Sequence, residues 1–438
     1  MAPTVAFCTL GCKVNQYDSQ AMLERLESAG YTAAPFSAPC DVYVVNTCTV
    51  TGTGDKKSRQ MIRRAAREHP GAAIVVTGCL AQRAAQELAA MPGVRLVLGT
   101  QRRGEIAELL AAALRQEEPL IAVAPLGRDT PFEALTVRGS EGRTRATLKI
   151  QEGCQNGCAY CIIPSVRGPV RSRPLPDIAS EAMRLAEAGF AEIVVTGIHL
   201  ASYGRDFGDS VGLLDALRAV ARTPGVRRVR IGSLEPAIVT EAFARGLKEL
   251  PAVCPHFTLA LQSGSDTVLA RMGRRYDTAG YRRAVEALRA CYPDAAIASD
   301  ILCGFPGETQ AEFAQTRDFL REIGFARIHV FPYSPREGTR AARMPGQVPK
   351  SVREARAAEL IALGAQLEAA YLSRWVGRTC EVLFEESHPL GAQGYTAEYV
   401  RVAAGGTPGR FAAVKMERVN NSILEGSLVR EEKACAIR

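Results

Sequence analysis

The feature that most constrains the fold is an alternation, repeated along most of the chain, between short apolar runs and helical patterns. Residues 5–9, 42–45, 74–76 and 96–98 are β-branched or apolar runs, with helical patterns at 19–29, 55–68 and 84–88 between them. Short buried strands alternating with helices predict a parallel sheet covered on both faces. Residues 1–120 are therefore expected to form an open α/β sheet domain. Residues 121–142, rich in Gly and Pro and without periodicity, read as a linker. The alternation resumes over 143–371 with strands expected at 146–150, 193–196, 229–231, 257–261, 297–302 and 327–331. Helices are expected among them at 176–188, 279–290 and 308–323, followed by an Ala-rich helix over 351–372. Six such units predict a partial (β/α)6 barrel, smaller than the eight-fold version. Residues 372–438 change character: runs at 378–385, 394–402, 409–419 and 426–430 predict a small all-β domain.

Composition narrows the class. At about 150 residues per domain, 438 residues make two or three domains. A 47% hydrophobic and 23% charged chain excludes intrinsic disorder. The net charge of +8 permits a polyanionic partner without demonstrating one. No apolar run approaches the ~20 residues of a membrane span, and no charged leader precedes the first apolar run. A cytoplasmic protein is expected.

Thirteen cysteines in such a chain point to metal, cluster or catalytic use rather than to disulfides. Cys154, Cys158 and Cys161 stand as C-x3-C-x2-C in KIQEGCQNGCAYCIIPSVRG, just past the first strand of the second domain. Three thiolates on one loop can hold an Fe–S cluster or zinc. Three ligands leave a metal position open for chemistry; a structural zinc completed by a distant residue is the alternative. The remaining barrel strands end in polar or glycine-rich residues at 196–199, 232–235, 262–265, 300–308 and 332–335. Strand ends of this kind build the active sites of parallel barrels. In the first domain Cys12, Cys48 and Cys79 each follow a strand, in TLGCKVN, VNTCTV and VTGCLA. Loops at the carboxyl ends of an open sheet share one crevice. Three thiols there make a second three-thiolate site, against the alternative of small buried hydrophobes. Cys8, Cys40, Cys254, Cys291, Cys303, Cys380 and Cys435 show no pattern and read as packing, and His199 as a structural histidine. Lys56, Arg59, Arg63 and Arg67, spaced by 3, 4 and 4, line one helix face. That face is either solvated or a stripe for phosphates.

The C-x3-C-x2-C loop, with an aromatic before its last Cys, resembles the radical S-adenosylmethionine (SAM) superfamily. The Cys12/Cys48/Cys79 triad, the segment LQSGSDTVLARMGRRY and a C-terminal β domain similar to a TRAM domain resemble its methylthiotransferase branch. GCKVNQYDS and TGIHLASYG are most similar to bacterial enzymes acting on threonylcarbamoyladenosine in tRNA. Relatives acting on isopentenyladenosine tRNA or on a ribosomal protein usually differ after the first Cys. The TRAM-like region departs from an RNA-binding composition, since nine Lys/Arg against eight Asp/Glu from Tyr371 onward leave it near neutral. The resemblance implies a 4Fe-4S cluster on Cys154, Cys158 and Cys161 that cleaves SAM. It implies a second 4Fe-4S cluster on Cys12, Cys48 and Cys79 that supplies sulfur, and a second SAM that donates the methyl group. Tyr160, Gly197, and Ser233 or Glu235 are implied SAM contacts. The implied partners are a tRNA anticodon stem-loop and a flavodoxin- or ferredoxin-like electron donor. Readings outside that branch are a radical SAM enzyme acting on a protein, or a zinc-stapled RNA-binding protein.

Overall fold

The computed structural model describes residues 2–139, 143–208 and 210–431. Its first part is a six-stranded parallel sheet of β1 (Thr4–Thr9), β2 (Thr32–Ala33), β3 (Val42–Thr47), β4 (Ala73–Gly78), β5 (Val94–Leu98) and β6 (Leu120–Ala122). Their order is β2-β1-β3-β4-β5-β6. β3 and β4 are buried along their whole length because helices cover both faces of the sheet. Val44 and Val75 pack into one core, Tyr43, Val45 and Val76 into the other, as the two-residue period of a strand requires.

The helix expected over 19–29 starts earlier, at Lys13, and runs to Ser28. Asn15, Asp18 and Ser19 are buried on it, so its inner face lacks the apolar period by which a helix is recognised. The helix expected at 84–88 is preceded by another short one, Cys79–Arg83, and itself spans Ala85–Ala89.

The second part contains β7 (Arg145–Glu152), β8 (Arg171–Ser172), β9 (Glu192–Gly197), β10 (Arg228–Ile231), β11 (His256–Thr258), β12 (Ala296–Cys303) and β13 (Arg327–Pro332). Two sheets, β10-β9-β7-β8 and β11-β12-β13, are joined by parallel bridges Val229–Val253 and Leu234–Leu259. Six parallel strands thus curve into an open half-barrel, with β8 antiparallel to β7. The strand expected over 257–261 pairs regularly only over His256–Thr258, and Gln262 turns the chain with φ 69°. Along β7, Ala146, Leu148 and Ile150 join the helix-covered core. Arg145, Thr147, Lys149 and Gln151 alternate with them and face the other way.

The 121–142 segment is tied down where it is described. Leu135 and Val137 are buried, Tyr17 Oη donates to Leu135 O at 2.6 Å, and Val137 N donates to Glu181 at 2.8 Å. The helix Lys350–Ser373 leads into a closed barrel of β14 (Thr379–His388), β15 (Gly391–Tyr395), β16 (Arg401–Ala404), β17 (Phe411–Asn420) and β18 (Ile423–Glu431). Its order is β14-β15-β16-β18-β17. The run expected as one strand over 394–402 is two, because Tyr399 adopts φ 68° and Thr396 N bonds Val400 O across the turn. No helix among the described residues is long and apolar enough to cross a membrane.

Candidate functional site

Each thiol of the first triad sits at the carboxyl end of a strand: Cys12 after β1, Cys48 directly after β3, Cys79 directly after β4. β1, β3 and β4 are neighbours, so the three loops converge. Asn15 pins two of them, donating to Leu10 O at 2.7 Å and Thr47 O at 3.0 Å. Thr47 Oγ1 donates to Thr77 O at 2.6 Å and accepts from Leu80 N, tying in the third. Gly11, at φ 104°, is required, since a Cβ there would lie 3.0 Å from Cys48 Cβ and 3.2 Å from its Sγ. Cys12 is exposed, Cys48 half-buried and Cys79 buried, and all three lie within electrostatic reach of one another.

The second triad follows β7. Gly153 turns the chain at φ 74° with no room for a side chain, because a Cβ would collide with Pro169 O. Cys154 N then donates to Gly168 O at 3.0 Å, and Cys161 N to Cys158 O at 3.1 Å. Asn156 N donates to Cys154 Sγ at 3.4 Å, and Arg274 Nη1 to Cys158 Sγ at 3.2 Å. The three thiols line a cavity of about 630 Å³, large enough for a cluster and a small organic molecule. Burial pushes the Cys79 thiol up to about 11 and Cys161 up to about 12, so metal ligation is what would make them thiolates at neutral pH. Among the described residues no three His, Cys, Asp or Glu are spaced to share one metal ion. A four-iron cluster separates its thiolates more than one ion does, and each set brings three thiols, the donor type of such a cluster, to converging or single loops.

The two triads meet through a buried charged network that the spacing of the cysteines did not announce. Arg167 follows the second triad by six residues and is wholly buried. Its Nε donates to Cys79 Sγ at 3.1 Å, its Nη1 to Glu152 Oε1 at 3.0 Å and to Asp18 at 3.2 Å, and its Nη2 to Asn15. Lys149 Nζ reaches Asp18 at 2.5 Å and Glu152 at 3.3 Å, and Arg103 pairs with Asp18 and Glu133. Cys79 also packs against Ile162 and Val166, in the loop beyond Cys161. Arg336, beyond β13, donates to Thr49 and Asp55 at 2.7 Å, so a third loop joins the same junction. These residues were missed because single Arg, Lys and Asp residues carry no spacing signal.

Burial alone would raise the Asp18 carboxyl, but Arg103, Lys149 and Arg167 hold it below its usual value. A depressed folded pKa contributes stability above the unfolded value of about 3.9 and loses it as pH falls. The Tm of cluster-free protein should therefore drop below about pH 4 more steeply for wild type than for Asp18→Asn, the two curves converging at acid pH. Parallel curves from pH 7 to pH 3 would remove Asp18 from that account.

Of the residues read as SAM contacts, Tyr160 is half-buried beside the second triad, its ring edge-on to Phe305 at 6.5 Å. Gly197 ends β9, where a Cβ would lie 2.9 Å from Gln151 Cβ. Glu235 is buried, 2.7 Å from His199 Nε2, 3.1 Å from Asn156 Nδ2 and 3.2 Å from Arg274. Burial opposes its charge, yet the His199 hydrogen bond and Arg274 hold it down to about 2. Ser233 is exposed and is not brought into that group. His199 is further held by Ser202 at 2.5 Å. Asn156 and Arg274, which join Glu235 to the cysteine loop, carried no motif signal.

The basic stripe lies on the helix Gly52–Glu68. Lys56 and Arg63 are exposed, but Arg59 is paired with Glu87 at 2.8 Å and Arg67 with Glu68 at 3.2 Å. Of the cysteines read as packing, Cys254 and Cys303 are buried, Cys8, Cys40, Cys291 and Cys380 half-buried, and Cys435 lies outside the described residues.

Residues 4–99 match the uncharacterized protein family UPF0004, and residues 148–320 match the radical SAM superfamily. The chain is 42% identical to the threonylcarbamoyladenosine tRNA methylthiotransferase MtaB of Bacillus subtilis, over 98% of this chain and 96% of that protein. It is 37% identical to the protein of the same name in Thermotoga maritima, over 95% of each. It is 39% identical to the tRNA-2-methylthio-N(6)-dimethylallyladenosine synthase of Streptomyces griseus, over 86% of this chain and 76% of that one. Among solved structures the radical SAM methyltransferase TsrM of Kitasatospora setae superposes with a TM-score of 0.57 at 15% identity, covering 78% of this chain and 77% of that one.

Proposed function

The chain belongs to the radical SAM methylthiotransferase family, and from that premise we propose that it adds a methylthio group to C2 of N6-threonylcarbamoyladenosine, immediately 3′ of a tRNA anticodon. The observation that carries the reading is the meeting of two three-thiol loop sets across one interface, with Arg167 touching Cys79 and Glu152 at once. The threonylcarbamoyl substituent is favoured because the Bacillus subtilis relative bearing that name combines higher identity with nearly full coverage of both chains, which the dimethylallyl synthases do not.

When loaded, a 4Fe-4S cluster on Cys154, Cys158 and Cys161 supplies the electron that cleaves SAM, and a second on Cys12, Cys48 and Cys79 supplies sulfur. The chain's own contribution is orientation and exclusion of water. Glu235, fixed by His199 and Arg274, presents a carboxylate charged at neutral pH to the polar groups of SAM, and Tyr160 presents an aromatic face. Gly197 lets Gln151 and Leu200 close against the end of β9. Arg167 holds Cys79 against the loop of the other triad, which keeps the two halves of the reaction at a fixed separation. The C2 carbon of adenine is unactivated, and no side chain here is required as its general base. Single-stranded loops offer bases that can be splayed out into such a junction. Lys56 and Arg63, exposed on their helix, would meet the phosphates of that loop, together with the C-terminal barrel. A flavodoxin- or ferredoxin-like protein in the cytoplasm delivers the electron.

Two measurements test this. Anaerobic reconstitution should yield about eight irons per chain, two cubanes' worth; about four in the intact protein removes the second cluster. Digests of treated tRNA should carry added methylthio mass on threonylcarbamoyladenosine. Turnover on isopentenyladenosine tRNA alone would leave the enzyme class standing and sink the substrate.

A further inference from the structure

A cavity of about 500 Å³ opens where all three parts of the chain meet, lined among others by Lys13, Arg143, Arg145, Thr147, Glu385 and Tyr399. Its charges are not balanced. Arg145 is committed to Glu385 at 2.6 Å, and its guanidinium lies over the stacked rings of Tyr395 and Tyr399 at 5.1 and 5.2 Å. Glu386 on the wall accepts from Gln393 at 2.7 Å. Lys13 and Arg143 have no carboxylate partner among the described residues, and Arg143 reaches only Gln16, at 3.4 Å. Lys13 is open to water through the cavity although protein surrounds most of it. Crowded cations facing an open cavity are stabilised by an incoming anion.

The position of Lys13 says which anion. It directly follows Cys12, so the thiol turns to Cys48 and Cys79 while the next side chain enters the cavity. In adenine, C2 and the N6 amino group flank N1 on the same edge of the ring. A base whose C2 approaches the first triad therefore carries its N6 substituent toward the same neighbourhood. Thr147 lies on the face of β7 that also bears Lys149 and Gln151, so the cavity borders the strand that leads to Cys154. We propose that Lys13, seconded by Arg143, receives the carboxylate of the N6 substituent and is the residue that selects an anionic substituent over an apolar one. The proposal rests on the threonylcarbamoyladenosine reading and adds the residue that enforces it.

The test uses the reconstituted full-length enzyme and two synthetic anticodon stem-loops. One carries the threonylcarbamoyl acid, the other its carboxamide, which removes the charge and keeps the shape. Wild type should turn over the acid with kcat/KM about tenfold or more above the amide, the size of a hydrogen bond to a charged group. Lys13→Gln should lose that preference through the acid alone, with turnover of the amide and iron content kept, while Lys13→Arg should keep it. Arg143→Gln, farther from the cysteines, should lower the preference in part. Equal losses on acid and amide, or iron lost with Lys13→Gln while Arg143→Gln keeps the full preference, would make Lys13 a support for the Cys12 loop and overturn the proposal. Wild type that modifies neither stem-loop would instead overturn the substrate reading on which it rests.

Discussion

Cys158→Ala is expected to abolish reductive cleavage of SAM, whereas Cys48→Ala is expected to leave cleavage intact and stop sulfur insertion. The asymmetry follows from where the two thiols stand. Cys158 lines the 630 Å³ cavity with Cys154 and Cys161, and its sulfur accepts from Arg274, which also pairs with Glu235. On the proposed assignment, losing it would remove one of three cluster ligands and one anchor of Glu235, and metal sites lose function when the ligands or their supports are disturbed. Cys48 lies in the other domain, packed against Gly11 and bonded through its backbone to Ser58 at 3.2 Å. The first domain reaches the C-x3-C-x2-C turn mainly through Cys79, by its bond from Arg167 and its packing on Ile162 and Val166, rather than through Cys48. The check is 5′-deoxyadenosine and methionine release with a chemical reductant, alongside mass spectrometry of digested tRNA. The Cys158 variant should form neither deoxyadenosine nor product; the Cys48 variant should form deoxyadenosine at near wild-type level and no product. Wild-type methylthio formation by the Cys48 variant would reduce the first triad to packing.

The alternation of strands and helices was readable because parallel strands buried on both faces leave unbroken apolar runs, as in β3 and β4. The start of the first helix was not, for a physical reason that bears on function. Asn15, Asp18 and Ser19 are buried but polar, committed to Leu10, Thr47, Arg103, Lys149 and Asn46. A helix whose inner face carries hydrogen bonds instead of methyl groups has no apolar period. The same holds for the site. Cysteines at strand ends announce themselves by spacing, but the Arg167 network joins residues up to 152 positions apart and exists only in the fold. Tyr399 hid a turn in the C-terminal barrel, since a tyrosine at positive φ reads as strand and is held there by stacking on Tyr395 at 4.4 Å.

Arg167 is the single side chain whose loss should most weaken the junction. Removing one partner of a buried ion pair costs about 3–5 kcal/mol, because the charge left behind has no water to replace what it lost. In Arg167→Met, Asp18 and Glu152 retain Lys149 and Arg103, while Cys79 and Asn15 lose their donor entirely. The damage should be local, since apart from Tyr17 and Ala21, which reach from the helix Lys13–Ser28 into the half-barrel core, the two domains keep their own cores. Amide exchange in the helix Lys13–Ser28 and along β7 should therefore quicken by about a hundredfold or more, while β12 and the C-terminal barrel stay protected. Arg167→Lys should fall between, because an ammonium keeps the charge but cannot reach Cys79, Glu152 and Asn15 at once as a guanidinium fork does. Unchanged exchange at the interface in Arg167→Met would show that Ile162, Val166 and Cys79 hold the domains by packing alone. An altered exchange pattern with normal product would instead show that the separation of the two triads tolerates more movement than this geometry implies.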